Sequence, residues 1–140
     1  MSRKLPHHSN LVKDFLLKYL PKNWHIIDLN NLDEKKVYKS LSKSKIFLSF
    51  SSFEGLGLPP IEAALAGNFV IGYTGEGGSE YWKKPIFTEI NSGDIILFVK
   101  KILAQIKKNK IFPHYKNKLL IYKYSKEREI KNIKKFLKFI

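Results

Sequence analysis

The sequence predicts an α/β fold: a Rossmann-like, mostly parallel sheet with helices on both faces. Three observations carry this. Short apolar runs alternate with segments of helical periodicity, as they do when buried parallel strands are joined by helical crossovers. The stretches between the runs are about ten to fifteen residues long, the length of a crossover helix. The runs end in loops rich in Gly, Ser and Asn, and the carboxyl ends of parallel strands are where such sheets hold ligands.

The elements follow in order. Leu11, Val12, Phe15, Leu16, Tyr19 and Leu20 recur at helical spacing, so a helix is expected over Asn10–Leu20. Ser9 or Asn10 would cap it and Pro21 would stop it. Trp24 to Leu29 reads as a short strand leading into the loop Asp28–Asn31. Asp33 caps a helix that carries Val37, Tyr38 and Leu41. Lys45–Phe50 is a near-continuous apolar strand of the doubly buried kind. A loop from Ser51 to Leu58 leads to a helix over Pro59–Ala66, closed by Gly67. Phe69–Tyr73 is a second buried strand, followed by the glycine-rich loop Thr74–Ser79 and a short strand over Pro85–Ile90. Ile95, Phe98, Val99, Ile102, Leu103 and Ile106 mark a helix over Asp94–Ile106. A last helix from about Lys118 gathers Ile130, Ile133, Phe136, Leu137 and Ile140 on one face, with lysines around them.

Composition narrows the function. Cysteine is absent from the 140 residues, which excludes a disulfide framework, a thiol nucleophile and cysteine-based zinc sites. No apolar run reaches the roughly 20 residues of a membrane span. Basic Met1–Lys4 is followed by Pro6 and His7-His8-Ser9-Asn10, which is no secretory core, so a cytoplasmic location is expected. The four histidines have neither ligand spacing nor acidic partners, so no metal and no cofactor are expected. Neither a P-loop nor a Ser-His-Asp arrangement is visible.

Charge is unevenly spread. Residues 1–97 hold 12 basic and 10 acidic side chains, whereas residues 98–140 hold 14 and 2, a net of +12. An anionic membrane surface would suit such a tail, placing the protein peripherally on the inner face of the membrane. Nucleic acid is disfavoured, because 24 of the 26 basic residues are Lys and phosphate-forking or base-reading proteins prefer Arg. A solvated helix face accounts for the lysines equally simply.

The most specific stretch is the loop Ser51–Leu58 and the helix after it. Gly55 and Gly57 carry no Cβ and let a ligand approach the backbone. Pro59 and Pro60 open the helix and leave the amides of Leu56 to Leu58 pointing outward, an anion cradle suited to a diphosphate. Glu62, one turn on, can accept two hydrogen bonds from a vicinal diol such as a ribose, and Glu54 can reach a second polyol. Either carboxylate could instead be an ordinary polar residue, with Glu62 merely complementing the helix dipole.

The segment Glu54-Gly-Leu-Gly-Leu-Pro-Pro-Ile-Glu62 resembles the E-x7-E motif of the retaining glycosyltransferases of family 4, which have the GT-B fold. Phe47-Leu-Ser-Phe50 before it resembles that family too, as do Ala63-Ala-Leu-Ala-Gly67, Val70-Ile-Gly-Tyr73 and Gly77-Gly-Ser-Glu-Tyr81 after it. The likeness runs from about Met1 to Phe98 and is strongest at 45–82. It implies the C-terminal, donor-binding half of a GT-B enzyme. Glu54 would contact the donor sugar as the catalytic-site carboxylate and Glu62 the ribose. Arg3 and Lys4 would bind the diphosphate, although the family often spaces its basic pair several residues apart. The nucleobase would lie near Asn30 to Leu32. Glu76 and Glu80 are further sugar-contact candidates.

On this reading residues 1–97 form a nucleotide-sugar-binding domain and residues 98–140 basic helices packed on it. The resemblance aligns Arg3-Lys4 with the end of the half's first strand, so that strand is expected to be missing, through truncation or because a partner supplies it. The expected function is hexose transfer from a nucleoside diphosphate sugar to an unspecified acceptor. An N-terminal half would be the partner, and the isolated chain would be inactive. The alternative is a non-catalytic basic module for an anionic membrane or nucleic acid.

Overall fold

The polypeptide forms a three-stranded parallel sheet, order β1-β2-β3, between two helical layers. The computed structural model describes residues 5–55, 57–108 and 114–138; the side chains of Glu54, His114, Tyr115, Lys116 and Lys126 lie outside the described part. Its elements are α1 (Pro6–Tyr19), α2 (Glu34–Lys43), β1 (Ile46–Glu54), α3 (Leu58–Leu65) and β2 (Phe69–Glu76). There follow β3 (Phe87–Glu89), α4 (Ile95–Lys108), α5 (His114–Lys123) and α6 (Lys126–Leu137). This is the predicted Rossmann-like α/β class.

Strand alternation sorts the core into two. Phe47, Val70 and Phe87 face one layer, where Leu41 of α2, Ile61, Ala63 and Ala64 of α3, and the loop residues Tyr81 and Trp82 pack. Leu48, Phe50, Ile71 and Tyr73 face the other, against Val12 and Leu16 of α1 and Phe98, Val99 and Ile102 of α4. Phe98 is fully buried, its ring 4.9 Å from that of Phe50 and 5.5 Å from that of Tyr73. The first turns of the basic region therefore belong to the core.

Several local rules act as expected. The Asp33 carboxylate accepts from the Lys36 amide at 2.8 Å, capping α2. That hydrogen bond holds its pKa below the ordinary value for Asp. Asn68, fully buried before β2, donates from Nδ2 to the Leu41 carbonyl (2.8 Å) and the Ala63 carbonyl (3.0 Å).

Four expectations change. Residues 24–29 form no strand; they run extended, with Trp24 and Ile26 half-buried and His25 and Ile27 exposed. The strand-like alternation is present, but a strand needs a neighbour to take its backbone groups. Among the described residues the stretch has a local turn bond, from the Trp24 amide to the Pro21 carbonyl, and no ladder. The first helix starts at Pro6 rather than Asn10, because proline at the first helical position lacks only an amide that would be unpaired anyway. β1 and β2 run on to Glu54 and Glu76, with a register shift between Ser51 and Glu54. The last helix is two: Ser125 interrupts it and caps α6, its hydroxyl accepting from the Arg128 amide.

α5 lies on α3, where the Asn117 amide donates to the Leu65 carbonyl at 3.0 Å. On α6, Ile130, Ile133, Phe136 and Leu137 are exposed. Among the described residues no helix is long and apolar enough to cross a membrane.

Candidate functional site

Parallel strands bring the carboxyl ends of β1 and β2 to one edge, where Glu54 and Glu76 stand opposite each other in the register. Two glycine loops start there. In the first, Gly57 caps α3 in the left-handed region (φ 67°), a backbone only glycine adopts without strain. Pro59 and Pro60 occupy the first turn, and no side chain caps the helix. Among the described residues the amides of Gly57 and Leu58 have no hydrogen-bond partner. They face the open end of the helix, where partial positive charge collects.

Gly55 has a different role from Gly57. A Cβ there would meet nothing within 4 Å, so protein packing does not demand the glycine. Glu62 projects from α3 into solvent, without a hydrogen bond or ion pair to any described residue.

The second loop is tightly wound. Gly75 (φ 67°) and Glu76 (φ 65°) are both left-handed, and the Glu76 amide donates to Thr74 Oγ1 at 3.3 Å. A Cβ on Gly78 would lie 2.6 Å from the Thr74 carbonyl oxygen, so only glycine lets the chain turn there. Buried Tyr81 then reaches across and donates its hydroxyl to the Gly57 carbonyl at 2.6 Å. One aromatic side chain thus joins both loops. The reading from sequence missed this clasp, although Tyr81 closes the second glycine stretch and a buried tyrosine hydroxyl requires a partner.

Glu80 points away from the loops toward α5, accepting from Tyr124 Oη at 3.0 Å, with Lys123 Nζ 3.8 Å away. Burial, with Glu80 beside the hydroxyl, pushes the Tyr124 pKa up to about 12, so the phenol stays protonated as a donor. Glu80 is accordingly a tether for α5, and Glu76, exposed on its loop, remains the freer of the two acids. His8 is more than a surface residue: its ring lies edge-on to Tyr73, with Nδ1 3.2 Å from the phenol oxygen. The Gly93 amide donates to the same oxygen.

Gly55, Gly57, Leu58 and Glu62 lie along the loop from β1 and the first turns of α3, at the carboxyl edge of the sheet. Arg3, Lys4 and Leu56 lie outside the described residues, as does the side chain of Glu54. The Asn30–Leu32 region is a tight turn, with the Asn30 amide on Asp28 Oδ1 and Asn31 left-handed (φ 58°). No group of three or more metal-ligating side chains occurs among the described residues.

Over 87 residues the chain is 29% identical to an alpha-1,6-glucosyltransferase of Actinobacillus pleuropneumoniae serotype 7 (strain AP76). The match covers 59% of this chain and 26% of that protein, so the chain matches about a quarter of the length of this curated relative. The similarity is distant and supports a glycosyltransferase-like origin. No family model and no solved structure matches the chain.

Proposed function

We propose that this chain is the nucleotide-sugar-binding half of a GT-B, family-4-like hexosyltransferase, inactive until joined by an acceptor-binding half. One observation carries the reading. At the carboxyl edge of a parallel sheet, the glycine loop after β1 opens α3 with two amides unpartnered among the described residues, and one turn on stands the exposed Glu62 carboxylate. The amides of Gly57 and Leu58 suit a diphosphate, whose charge the helix terminus favours. Glu62 suits the paired hydroxyls of a ribose, and Glu54, by the resemblance, the transferred hexose. Arg3, Lys4 and Leu56 complete the diphosphate contacts in this proposal. The distant likeness to a glucosyltransferase supports a sugar donor over other diphosphates.

Glu62→Gln keeps the shape of the side chain and removes its charge. Calorimetric titration with UDP- and GDP-sugars should show binding weakened by about 1–3 kcal/mol, the range for a charge-assisted hydrogen bond. Equal affinity in the variant would remove the ribose from Glu62. A wild-type chain that bound neither donor would refute the whole reading.

A second reading rests on α6. Its exposed stripe of Ile130, Ile133, Phe136 and Leu137 runs beside exposed Lys131, Lys134, Lys135 and Lys138. Such a helix lies well in the interface of an anionic bilayer, peripheral on its inner face. Each lysine near that surface adds about 1 kcal/mol, so replacing Lys134 and Lys135 together by Gln should lower vesicle partitioning roughly tenfold or more. Flotation with phosphatidylserine-containing and phosphatidylcholine-only vesicles measures it. Equal recovery from both would rule out a charge-driven association.

A further inference from the structure

The start of α3 is built differently from those of α1, α2 and α6. In those three the N-cap carbonyl accepts from the amide four residues on: Leu5 from Ser9, Asp33 from Val37 and Ser125 from Glu129. At α3 the N-cap carbonyl, that of Gly57, accepts the Tyr81 hydroxyl at 2.6 Å, near the short end of the range for such a bond. The residues that follow remove donors as well. Leu58 is the first helical residue, and Pro59 and Pro60 after it have no N–H. A capping side chain would find no amide at those two positions, and Gly57 has no side chain to offer. Within the first three helical residues Leu58 therefore supplies the one amide, and it is unpartnered among the described residues.

The Gly57 carbonyl and the Leu58 N–H belong to one peptide group. Resonance across its C–N bond couples the two. A hydrogen bond received at the oxygen draws electron density from the nitrogen and makes the N–H a stronger donor. Because the group is planar, fixing the carbonyl also fixes the direction of the N–H. The hydroxyl that does this is itself held in place. Tyr81 is 3% exposed, and its ring lies edge-on to those of Phe87 at 5.4 Å and Tyr124 at 6.0 Å. Gly78 keeps the hydroxyl's path clear, since a Cβ there would lie 3.0 Å from Tyr81 Oη. The second glycine loop thus serves a peptide of the first.

We infer, on the donor-binding reading above, that Tyr81 is a positioning residue of that site. Its hydroxyl aims and polarises the Gly57–Leu58 peptide, so that the Leu58 N–H meets the diphosphate already oriented. A chain of hydrogen bonds then runs from phenol to carbonyl and, across the peptide, from amide to phosphate oxygen, each bond strengthening the other. The effect falls on the phosphates and not on the ribose, because Leu58 and Glu62 serve different parts of the donor.

Tyr81→Phe keeps the ring between Phe87 and Tyr124 and removes the hydroxyl. In titrations of the full chain, inorganic pyrophosphate, UDP and GDP should each bind the variant roughly three- to tenfold more weakly, the net contribution of one neutral hydrogen bond. Glu62→Gln should weaken the two nucleotides and leave pyrophosphate unchanged, which separates a loss at the phosphates from a loss at the ribose. In the unliganded Tyr81→Phe chain the Leu58 amide proton should move upfield in NMR spectra, while a cooperative melt shows that the domain is folded. Should the variant not fold, the wild-type chain gives the answer. Bound pyrophosphate should then shift the Tyr81 hydroxyl proton downfield together with the Leu58 amide proton. Equal affinities in wild type and Tyr81→Phe, or a Tyr81 hydroxyl proton unmoved by bound pyrophosphate, would overturn the role of Tyr81 and leave the donor site standing. A wild-type chain that bound none of the three probes would overturn both.

Discussion

Gly72→Ala should abolish stable folding of this domain. Gly72 sits in β2 opposite Ser49 of β1, with φ 143°, a backbone that L side chains rarely adopt. A Cβ built there lies 2.0 Å from the Ser49 carbonyl oxygen and 2.9 Å from two further atoms of the same backbone. No rotamer change relieves a clash between Cβ and main chain, so the two strands must part at the centre of the sheet. A cost of about 4 kcal/mol or more is expected, against a total stability of roughly 5–15 kcal/mol for a typical domain. Urea denaturation should show a collapsed midpoint or no transition at all. Gly55→Ala is the matching control, since its Cβ would meet nothing within 4 Å and the midpoint should hardly move. If Gly72→Ala unfolded like the wild type, the close pairing of β1 with β2 at this level would be wrong.

Phe98→Ala is the second large effect. Phe98 is buried to 0% exposure among Phe50 and Tyr73, beneath α1. Removing the ring leaves a cavity between the sheet and the α1–α4 layer and should cost about 3–5 kcal/mol. Phe136→Ala, on the exposed stripe of α6 at 66% exposure, should change stability by less than about 0.5 kcal/mol. Thermal melts of both variants check the pair together. Equal losses would mean that α6 is packed as tightly as α4.

The elements legible in the sequence were those whose signal is local. The apolar runs that became β1 and β2 lie against helices on both faces, so they needed no alternation to be recognised. Asp33 announced α2 through a cap that acts within four residues. Gly57 and the two prolines marked the start of α3 because each is suited to one backbone geometry. What failed depended on distant partners. The stretch 24–29 has the composition of a strand, and pairing is not a property of the stretch alone. Ser125 splits the last helix by offering its hydroxyl to a neighbouring amide, which periodicity does not register. At the candidate site, the glycine loop and Glu62 were readable as a motif. The Tyr81 clasp and the His8–Tyr73 contact join residues 24 and 65 positions apart, and no spacing rule reaches that far.

Asn68 lies outside both glycine loops, yet it braces the helix that the first of them opens. Its single amide group ties the end of α2 to the body of α3, just as the chain turns into β2. The tilt of α3 sets the heading of its amino end, and that end carries Gly57, Leu58 and, one turn later, Glu62. The side chain therefore works as a fixed sighting pin behind the loop. A change at Asn68 that left the fold standing would let α3 tilt, carrying the amides of its first turn and the Glu62 carboxylate with it.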